Sequence, residues 1–323
     1  MPSKNNLTVD VIIPTYNTAH YLGYALDSVF SQTHPVTKII IIDDGSEDGT
    51  EQLVSRYKAS SPAQIDFVKF PKNTGISHAR NEGFNRSQAD IVMFLDTDDV
   101  WDVEKVRMHL ERLEEKPEAI LSYCNFKYID DVGKPRGDIV SYFDHRIREG
   151  NVFKQLLLTN LWLRNPGQIA VRRSAIELVG RFDEQLPAAE DWDFMLRLAK
   201  TGEFVQINVP LLYIRYHSSN VTRRAVWLFE AVLGLYDKWA AEASLLTAIL
   251  WGGQVMNKVR KADPETRKIL MAILRNKLRP ASRLKMFAFS AGNLRIALIF
   301  GYIFGGAKYV YGKLAQVRKK YVV

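Results

Sequence analysis

Two hydrophobic patterns alternate along the first 130 residues. Runs of β-branched and other apolar residues predict strands, and segments with apolar residues every three or four positions predict helices. The predicted strands are VDVIIP (9–14), KIIIIDD (38–44), IDFVKF (65–70), DIVMFLD (90–96) and AILSYCNFKYI (119–129). The predicted helices cover 21–32, 50–58, 77–87 and 103–115. Continuous apolar strands separated by helices indicate an α/β, Rossmann-like architecture: a mostly parallel central sheet with helices on both faces.

The pattern is less regular from residue 130 to residue 222. It predicts helices at 151–158, 174–180 and 188–202, a strand at 168–173, and two short strands over 203–220. We therefore expect one domain over 1–222, divided into halves of about 8–129 and 130–222. A separate helical region should follow over 223–323.

Charge supports this division, because residues 223–323 contain 19 Lys and Arg against 5 Asp and Glu, whereas residues 1–222 have a net charge of −6. The apolar run 287–310 is long enough for a spanning helix, but Arg295 near its middle would be costly in a bilayer. We expect a basic helix that lies in a membrane interface, or an oligomer contact. Nucleic-acid binding is disfavoured, since the basic residues are interleaved with Leu, Ile and Phe.

The composition, 47% hydrophobic and 25% charged, is typical of a globular protein. Cys124 is the only cysteine, so no internal disulfide can form, which is consistent with a reducing compartment. The start of the sequence, MPSKNNLTVDV, has no apolar stretch typical of a secretory signal. We therefore expect a cytoplasmic protein, peripheral on the inner face of the cell membrane.

Polar residues follow three of the predicted strands, at Thr15–Asn17, Asp43–Ser46 and Asp96–Asp99. In a parallel sheet these positions meet at one edge, where ligands of such folds bind. No G-x-G-x-x-G motif follows the first strand, which disfavours a dinucleotide, and no P-loop is present.

The acidic cluster Asp96, Asp98 and Asp99 predicts a site for Mg²⁺ or Mn²⁺, since such ions take oxygen ligands from carboxylates and substrate phosphates. The alternative is structural: Asp98 or Asp99 would cap the helix that starts near Val103. Asp43 and Asp44 could form an ordinary turn, or accept a hydrogen bond from a uracil imide or a ribose hydroxyl.

The remaining charged motifs are also open to two interpretations. Arg80 is either a solvated helix residue or a diphosphate ligand. Glu190, Asp191 and Asp193 suit the start of a helix because of its dipole. His217 alone is more often structural than a ligand, and Arg215 is more often a surface charge.

Together these motifs resemble the family 2 glycosyltransferases, enzymes of the GT-A fold that use nucleotide-sugar donors. The resemblance covers about residues 8–220 and lies in VIIPTYN (11–17), SVFSQT (28–33), IIDDGSEDGT (41–50), NTGISHARNEG (73–83), FLDTDD (94–99), VGRFDE (179–184), AEDWDF (189–194) and YIRYH (213–217). The Q-x-x-R-W motif of the processive members is absent from the sequence, which implies transfer of a single sugar.

The resemblance implies a role for each matching residue. The donor site would comprise Pro14 and Tyr16 at the nucleobase, Asp44 bonded to the base, Arg80 near the diphosphate and Asp96 at the ribose or sugar. Asp98 would hold Mn²⁺ or Mg²⁺, with Asp96 and Asp99 sharing that role and His217 assisting.

Asp191 matches the family's catalytic base, which implies an inverting transfer from a nucleotide-sugar, such as a UDP-sugar, to a glycan or lipid-linked acceptor. The alternative is a sugar-phosphate nucleotidyltransferase, which also pairs carboxylates with a metal. The loop IIPTYNTAHYL lacks the Gly-rich, basic character expected after the first strand of such an enzyme.

Overall fold

The computed structural model describes residues 7–60, 63–136, 148–158, 163–186, 188–216, 225–239 and 242. The chain forms two compact units, Met1–Arg223 and Arg224–Val323. In the second unit the described element is helix α8, Ala225–Trp239. The predicted membrane-associating run at 287–310 lies outside the described residues, as does His217. Within the described part of the chain, no helix is both long enough and apolar enough to cross a membrane.

The first unit is built on one eight-stranded sheet in the order β3-β2-β1-β4-β7-β6-β8-β5. Its strands are β1 Val9–Thr15, β2 Lys38–Asp43, β3 Gln64–Lys69, β4 Ile91–Phe94, β5 Val100–Trp101, β6 Ala119–Ile129, β7 Ile169–Arg172 and β8 Glu203–Arg215. Its α-helices are α1 Ala19–Phe30, α2 Thr50–Ser60, α3 Ile76–Arg86, α4 Lys105–Glu115, α5 Phe153–Leu158, α6 Arg173–Val179 and α7 Glu190–Thr201, and a 3₁₀ turn covers Pro166–Gln168. The predicted α/β architecture is confirmed.

The two halves of the sheet differ in strand direction. Strands β3, β2, β1 and β4 are all parallel. Strand β7 runs antiparallel to both β4 and β6, β8 is parallel to β6, and β5 is antiparallel to β8. The parallel part of this mixed sheet thus consists of the first four strands of the predicted half 8–129, and β5 and β6 of that half lie in the other part.

The prediction of two short strands over 203–220 is wrong. A single strand, β8, covers Glu203–Arg215. Its register against β6 shifts near Asn125, which pairs with Pro210, while the preceding Cys124 pairs with Ile207. The proline, which looks like a strand end in the sequence, therefore lies in a bulge, where a residue without an N–H is tolerated. The two-residue strand β5 was not predicted.

Strand register brings the polar segments to one edge. Thr15 at the end of β1 pairs with Asp43 at the end of β2. Phe94 at the end of β4 pairs with Ile12, and the next backbone N–H, of Leu95, donates to the Ile12 carbonyl at 3.0 Å. All residues of β1 and β4 are buried. The loops after β1, β2 and β4 therefore start side by side at one edge of this apolar sheet. We call these three loops the rim.

Helix α3 lies close against β1, and Gly83 permits that approach. A Cβ atom added at Gly83 would overlap Cγ2 of the buried residue Ile12. Arg80 lies on the same helix, so this contact also fixes the distance between Arg80 and the sheet.

We predict that Gly83→Ala lowers the free energy of unfolding by about 1–3 kcal/mol, because the core must shift to admit the methyl group. The matched control is Gly49→Ala, since a Cβ atom at Gly49 meets nothing within 4 Å; that variant should stay within about 0.5 kcal/mol of the original protein. Urea unfolding measures both. Equal destabilisation by the two changes would contradict the close packing of α3 on β1.

Candidate active site

The loops that follow β1 and β2 are bound to one another. The Asn17 N–H donates to Ser46 Oγ at 2.8 Å, the Glu47 N–H donates to Asn17 Oδ1 at 2.9 Å, and the Ala19 N–H donates to Asp48 Oδ2 at 2.9 Å. Asn17 has φ 52°, a left-handed conformation that asparagine tolerates better than most residues. The two loops therefore form one fixed part of the rim.

Two of the predicted nucleobase residues lie on this part of the rim, in different environments. Pro14 is buried within β1, opposite Ile42 of β2. Tyr16 follows the end of the strand and is 47% exposed. An exposed aromatic ring beside a fixed loop can stack on a planar ligand.

Asp44 is fully engaged with the loop before α3. Its Oδ1 accepts hydrogen bonds from the Thr74 N–H and hydroxyl, both at 2.7 Å, and its Oδ2 accepts one from the Gly75 N–H at 2.8 Å. Gly75 has φ 102°, and the turn it makes leads directly into α3. Asp44 thus fixes the start of α3, and its predicted bond to a nucleobase stays a prediction.

The acidic loop after β4 is attached to β1 through hydroxyl groups. Thr97 Oγ1 lies 2.8 Å from Thr18 Oγ1, which lies 3.0 Å from Thr15 Oγ1. Thr97 is buried, while its neighbours Asp96 and Asp98 are partly exposed. This anchoring directs the two aspartates toward the rim.

Both oxygens of Asp99 accept internal hydrogen bonds. Oδ1 accepts from the Arg215 N–H at 3.0 Å, and Oδ2 accepts from Asn165 Nδ2 at 2.8 Å. Burial raises the pKa of Asp99 well above its ordinary value, and the charges of Asp98 and Asp96 add to the effect. The alternative that Asp98 or Asp99 caps α4 is wrong, since that helix begins at Lys105, after Glu104.

Arg215 is buried, so the expectation of a surface charge is wrong. Its Nε donates to the Asp98 carbonyl at 3.0 Å, and its Nη1 donates to the carbonyls of Asp130 and Asp131 at 2.9 and 2.8 Å. The guanidinium therefore holds the backbone of the acidic loop from below.

Arg80 connects the acidic loop to α7. Its Nη2 donates to Asp96 Oδ1 at 2.7 Å, and its Nη1 donates to Glu190 Oε1 at 2.8 Å. The side chain is only 2% exposed, so the alternative of a solvated helix residue is wrong. Burial alone would lower the pKa of Arg80, but the charges of Asp96 and Glu190 outweigh it and raise the pKa. We call this arrangement the Arg80 bridge.

Asp191 lies beside the Arg80 bridge, in the first turn of α7. Burial and the charges of Glu190 and Asp96 raise the pKa of Asp191 to about 7. The charge of Arg80 and a hydrogen bond from the Trp192 N–H at 2.7 Å act in the opposite direction. A carboxyl group with a pKa near neutral pH is suited to accept a proton in catalysis.

The rim fits a hard divalent cation if a ligand completes its coordination. No group of three or more His, Cys, Asp or Glu side chains that could hold a metal ion is found among the described residues. Asp96 and Asp98 supply two carboxylates, and Mg²⁺ is commonly held by one or two carboxylates together with substrate phosphates. Since both oxygens of Asp99 are used internally, the geometry favours Asp98 over Asp99.

The chain matches a known protein family. The sequence profile described as glycosyl transferase family 2 matches residues 10–180, more than half of the chain. The chain belongs to glycosyl transferase family 2. It is therefore a glycosyltransferase, and the match does not support the nucleotidyltransferase alternative.

Its relatives include an uncharacterized glycosyltransferase of Nostoc sp., 29% identical over 216 residues, and the putative teichuronic acid biosynthesis glycosyltransferase TuaG of Bacillus subtilis, 35% identical over 127 residues. These matches cover 66% and 39% of this chain. They cover 66% and 50% of the relatives' own lengths. The similarity to these two relatives is thus partial in both directions.

Two solved structures share the architecture. TarS of S. aureus, in complex with UDP, has a TM-score of 0.56 at 18% identity, over 90% of this chain and 93% of that one. The mannosyltransferase PcManGT of Pyrobaculum calidifontis, in complex with GDP-Man and Mn²⁺, has a TM-score of 0.58 at 19% identity, over 98% of this chain and 81% of that one. The predicted GT-A fold of the family is confirmed.

Three residues that hold the site together were not predicted from the sequence to do so. Asn165, which orients Asp99, stands in an Asn-Pro pair that indicates only a turn. Thr18 and Glu190 lie next to predicted site residues, but spacing does not show which of two adjacent side chains faces a ligand.

We predict that Asp98 and Asp99 separate when substituted. Asp98→Ala should weaken UDP binding in the presence of Mn²⁺ and have little effect without metal. Asp99→Asn should instead lower the free energy of unfolding by about 1–3 kcal/mol, because one of its two donors loses its acceptor. Calorimetric titration with UDP, with and without Mn²⁺, together with urea unfolding distinguishes the two. An equal loss of metal-dependent UDP affinity in both variants would contradict the assignment.

Proposed function

We propose that the protein transfers one sugar from a UDP-sugar to a hydroxyl group of a glycan or lipid-linked acceptor, with inversion at the anomeric carbon. The observation that carries this proposal is the Arg80 bridge, which joins Asp96 of the acidic rim to Glu190. The residue after Glu190 is Asp191, whose pKa is about 7. Support for the donor class comes from TarS, solved with UDP and with UDP-GlcNAc, and from PcManGT, solved with GDP-Man and Mn²⁺. Support for a glycan acceptor comes from the name of TuaG.

In this proposal the nucleotide lies on the rim. Tyr16 stacks on the base, with Pro14 supporting the loop, while Asp44 shapes the pocket through Thr74 and Gly75. Mn²⁺ or Mg²⁺ is held by Asp98 and Asp96, with His217 as a further candidate ligand. When bound, the ion stabilises the charge that develops on the leaving diphosphate.

Asp191 is the general base of the proposed reaction. Its ionised carboxylate takes the proton of the acceptor hydroxyl, and the acceptor oxygen forms a bond to the anomeric carbon as the bond to the diphosphate breaks. A single displacement inverts that carbon, so an α-linked donor gives a β-linked product. Asp191 is separated from the acidic loop by about ninety residues of sequence, and the Arg80 bridge accounts for their proximity.

The donor is identified by incubating the protein with UDP-GlcNAc, UDP-glucose or GDP-mannose and Mn²⁺, and measuring release of the nucleoside diphosphate. The proposal expects release from a UDP-sugar that stops when Mn²⁺ is chelated. Release of pyrophosphate from a nucleoside triphosphate and a sugar phosphate would instead support nucleotidyl transfer.

We predict that Asp191→Asn reduces turnover of the UDP-sugar by about 10²–10⁴-fold, the usual contribution of general-base assistance, with donor affinity nearly unchanged. Glu190→Gln should be milder. Initial rates and UDP-sugar binding are measured for both variants. Near-normal turnover by Asp191→Asn, or an equal loss of donor binding, would mean that the base lies elsewhere.

Turnover should also depend on pH. Asp191 must be ionised to accept a proton, and its pKa is about 7, so the rate should rise with pH through about 7 and then level off. Glu190→Gln removes a negative neighbour, which should lower the pKa of Asp191 and move this rise to lower pH. Arg80 and Asp96 also act on Asp191, and both are kept in that variant. A rise already complete by about pH 5, the behaviour of an ordinary carboxyl group, would contradict the role of Asp191.

We also propose that the basic region 223–323 attaches the protein to the cytoplasmic face of a membrane. Basic residues near an anionic surface contribute about 1 kcal/mol each. The full chain should therefore sediment with vesicles that contain phosphatidylserine at low salt, and a chain truncated after about Leu284 should not. A full chain that ignores such vesicles would instead favour an oligomer contact through 287–310.

A further inference from the structure

Arg80 is held in an environment from which water is largely excluded. Its guanidinium lies over the ring of Phe182, 5.3 Å from the ring centroid. Phe182 in turn stacks on Phe194 of α7 at 4.3 Å and meets Phe94 of β4 edge-on at 5.4 Å. This aromatic floor lowers the local dielectric, so the two ion pairs of Arg80 are stronger than pairs on an exposed surface.

Glu190 and Asp191 are adjacent carboxylates with different surroundings. The side chain of Glu190 is 12% exposed and accepts from Arg80. Asp191 is partly exposed and accepts a hydrogen bond from the Trp192 N–H. Glu190 therefore faces the interior, beneath the residue assigned as the base.

The chain enters α7 through an unfavourable backbone conformation. Ala189 has φ 59° and ψ 19°, a left-handed geometry that non-glycine residues rarely adopt. Such geometry persists only where the surroundings enforce it. Two contacts lie next to Ala189. One is the ion pair between the next residue, Glu190, and Arg80, and the other is the hydrogen bond from the Asp193 N–H to the Ala189 carbonyl at 3.0 Å.

We propose that Arg80 and Glu190 are positioning residues, and that their ion pair holds the first turn of α7 so that Asp191 faces a donor bound at Asp96. This inference rests on the proposed function and assigns Arg80 a role other than diphosphate binding. The two terminal nitrogens of Arg80 already bind two carboxylates. Turning toward a phosphate would leave Glu190 buried beside Asp191 without its counter-charge, which is costly.

Hydrogen exchange of the Asp193 amide measures whether the first turn of α7 is held in place. We expect Glu190→Gln and Arg80→Met each to accelerate hydrogen exchange of this amide by about tenfold or more, since the first turn opens locally when its anchor is removed. Arg80→Lys should give an intermediate rate, because an ammonium group cannot bind two carboxylates with the fixed fork of arginine. The double variant Arg80→Met/Glu190→Gln should exchange no faster than Arg80→Met, since both changes remove one interaction.

The matched control is Arg86→Met. Arg86 lies on the same helix and pairs with Glu82 at 2.8 Å and Asp66 at 3.4 Å, neither of which belongs to the rim. Its substitution should leave the Asp193 amide unchanged within about twofold. Unchanged exchange in Glu190→Gln, or equal acceleration by Arg86→Met, would overturn the proposal. If Arg80→Met does not fold, Glu190→Gln and Arg80→Lys still decide it.

A binding and turnover comparison separates positioning from general loss of structure. In Glu190→Gln the affinity for UDP with Mn²⁺ should stay within about threefold of the original, while turnover of UDP-GlcNAc, where the unmodified protein accepts it, falls by at least tenfold. Asp98→Ala should instead weaken the binding of UDP with Mn²⁺ more than Glu190→Gln does. If the unmodified protein binds no UDP, the proposed function fails, yet the exchange measurement still tests the ion pair.

Discussion

A buried guanidinium must be paired, and the pairing of Arg80 determines how the rest of the site is assembled. Its partners come from the loop after β4 and from the first turn of α7, while Arg80 itself is on α3. These elements are far apart in the sequence and meet because β4 lies between β1 and β7 in the sheet. The aromatic residues beneath the guanidinium keep water away from both ion pairs.

The acidic residues of the site fall into two groups: those that fix loops, and those to which the proposed function assigns a chemical role. Asp99 and Asp44 accept internal hydrogen bonds on both oxygens and so fix the loops around them. Asp96 shares Arg80 with Glu190. Burial, together with the charges of Glu190 and Asp96, raises the pKa of Asp191.

The sequence predicts the parallel half of the sheet well, because strands buried on both faces read as continuous apolar runs such as KIIIID. It predicts the rim for the same reason. It does not reveal that Arg80 and Glu190 meet across 110 positions, nor that Arg215 is buried, because a local pattern carries no information on distant partners. The error at β8 has another cause, since a bulge and a strand end look alike around Pro210.

The most direct test is a crystal structure of the protein with UDP and Mn²⁺, in which anomalous scattering locates the metal. We expect an Mn²⁺ ion between Asp98 and the diphosphate, the uracil base at Tyr16, and Arg80 still bound to Asp96 and Glu190. A metal bound away from Asp98, or an Arg80 side chain turned from Glu190 toward the phosphates, would contradict this expectation.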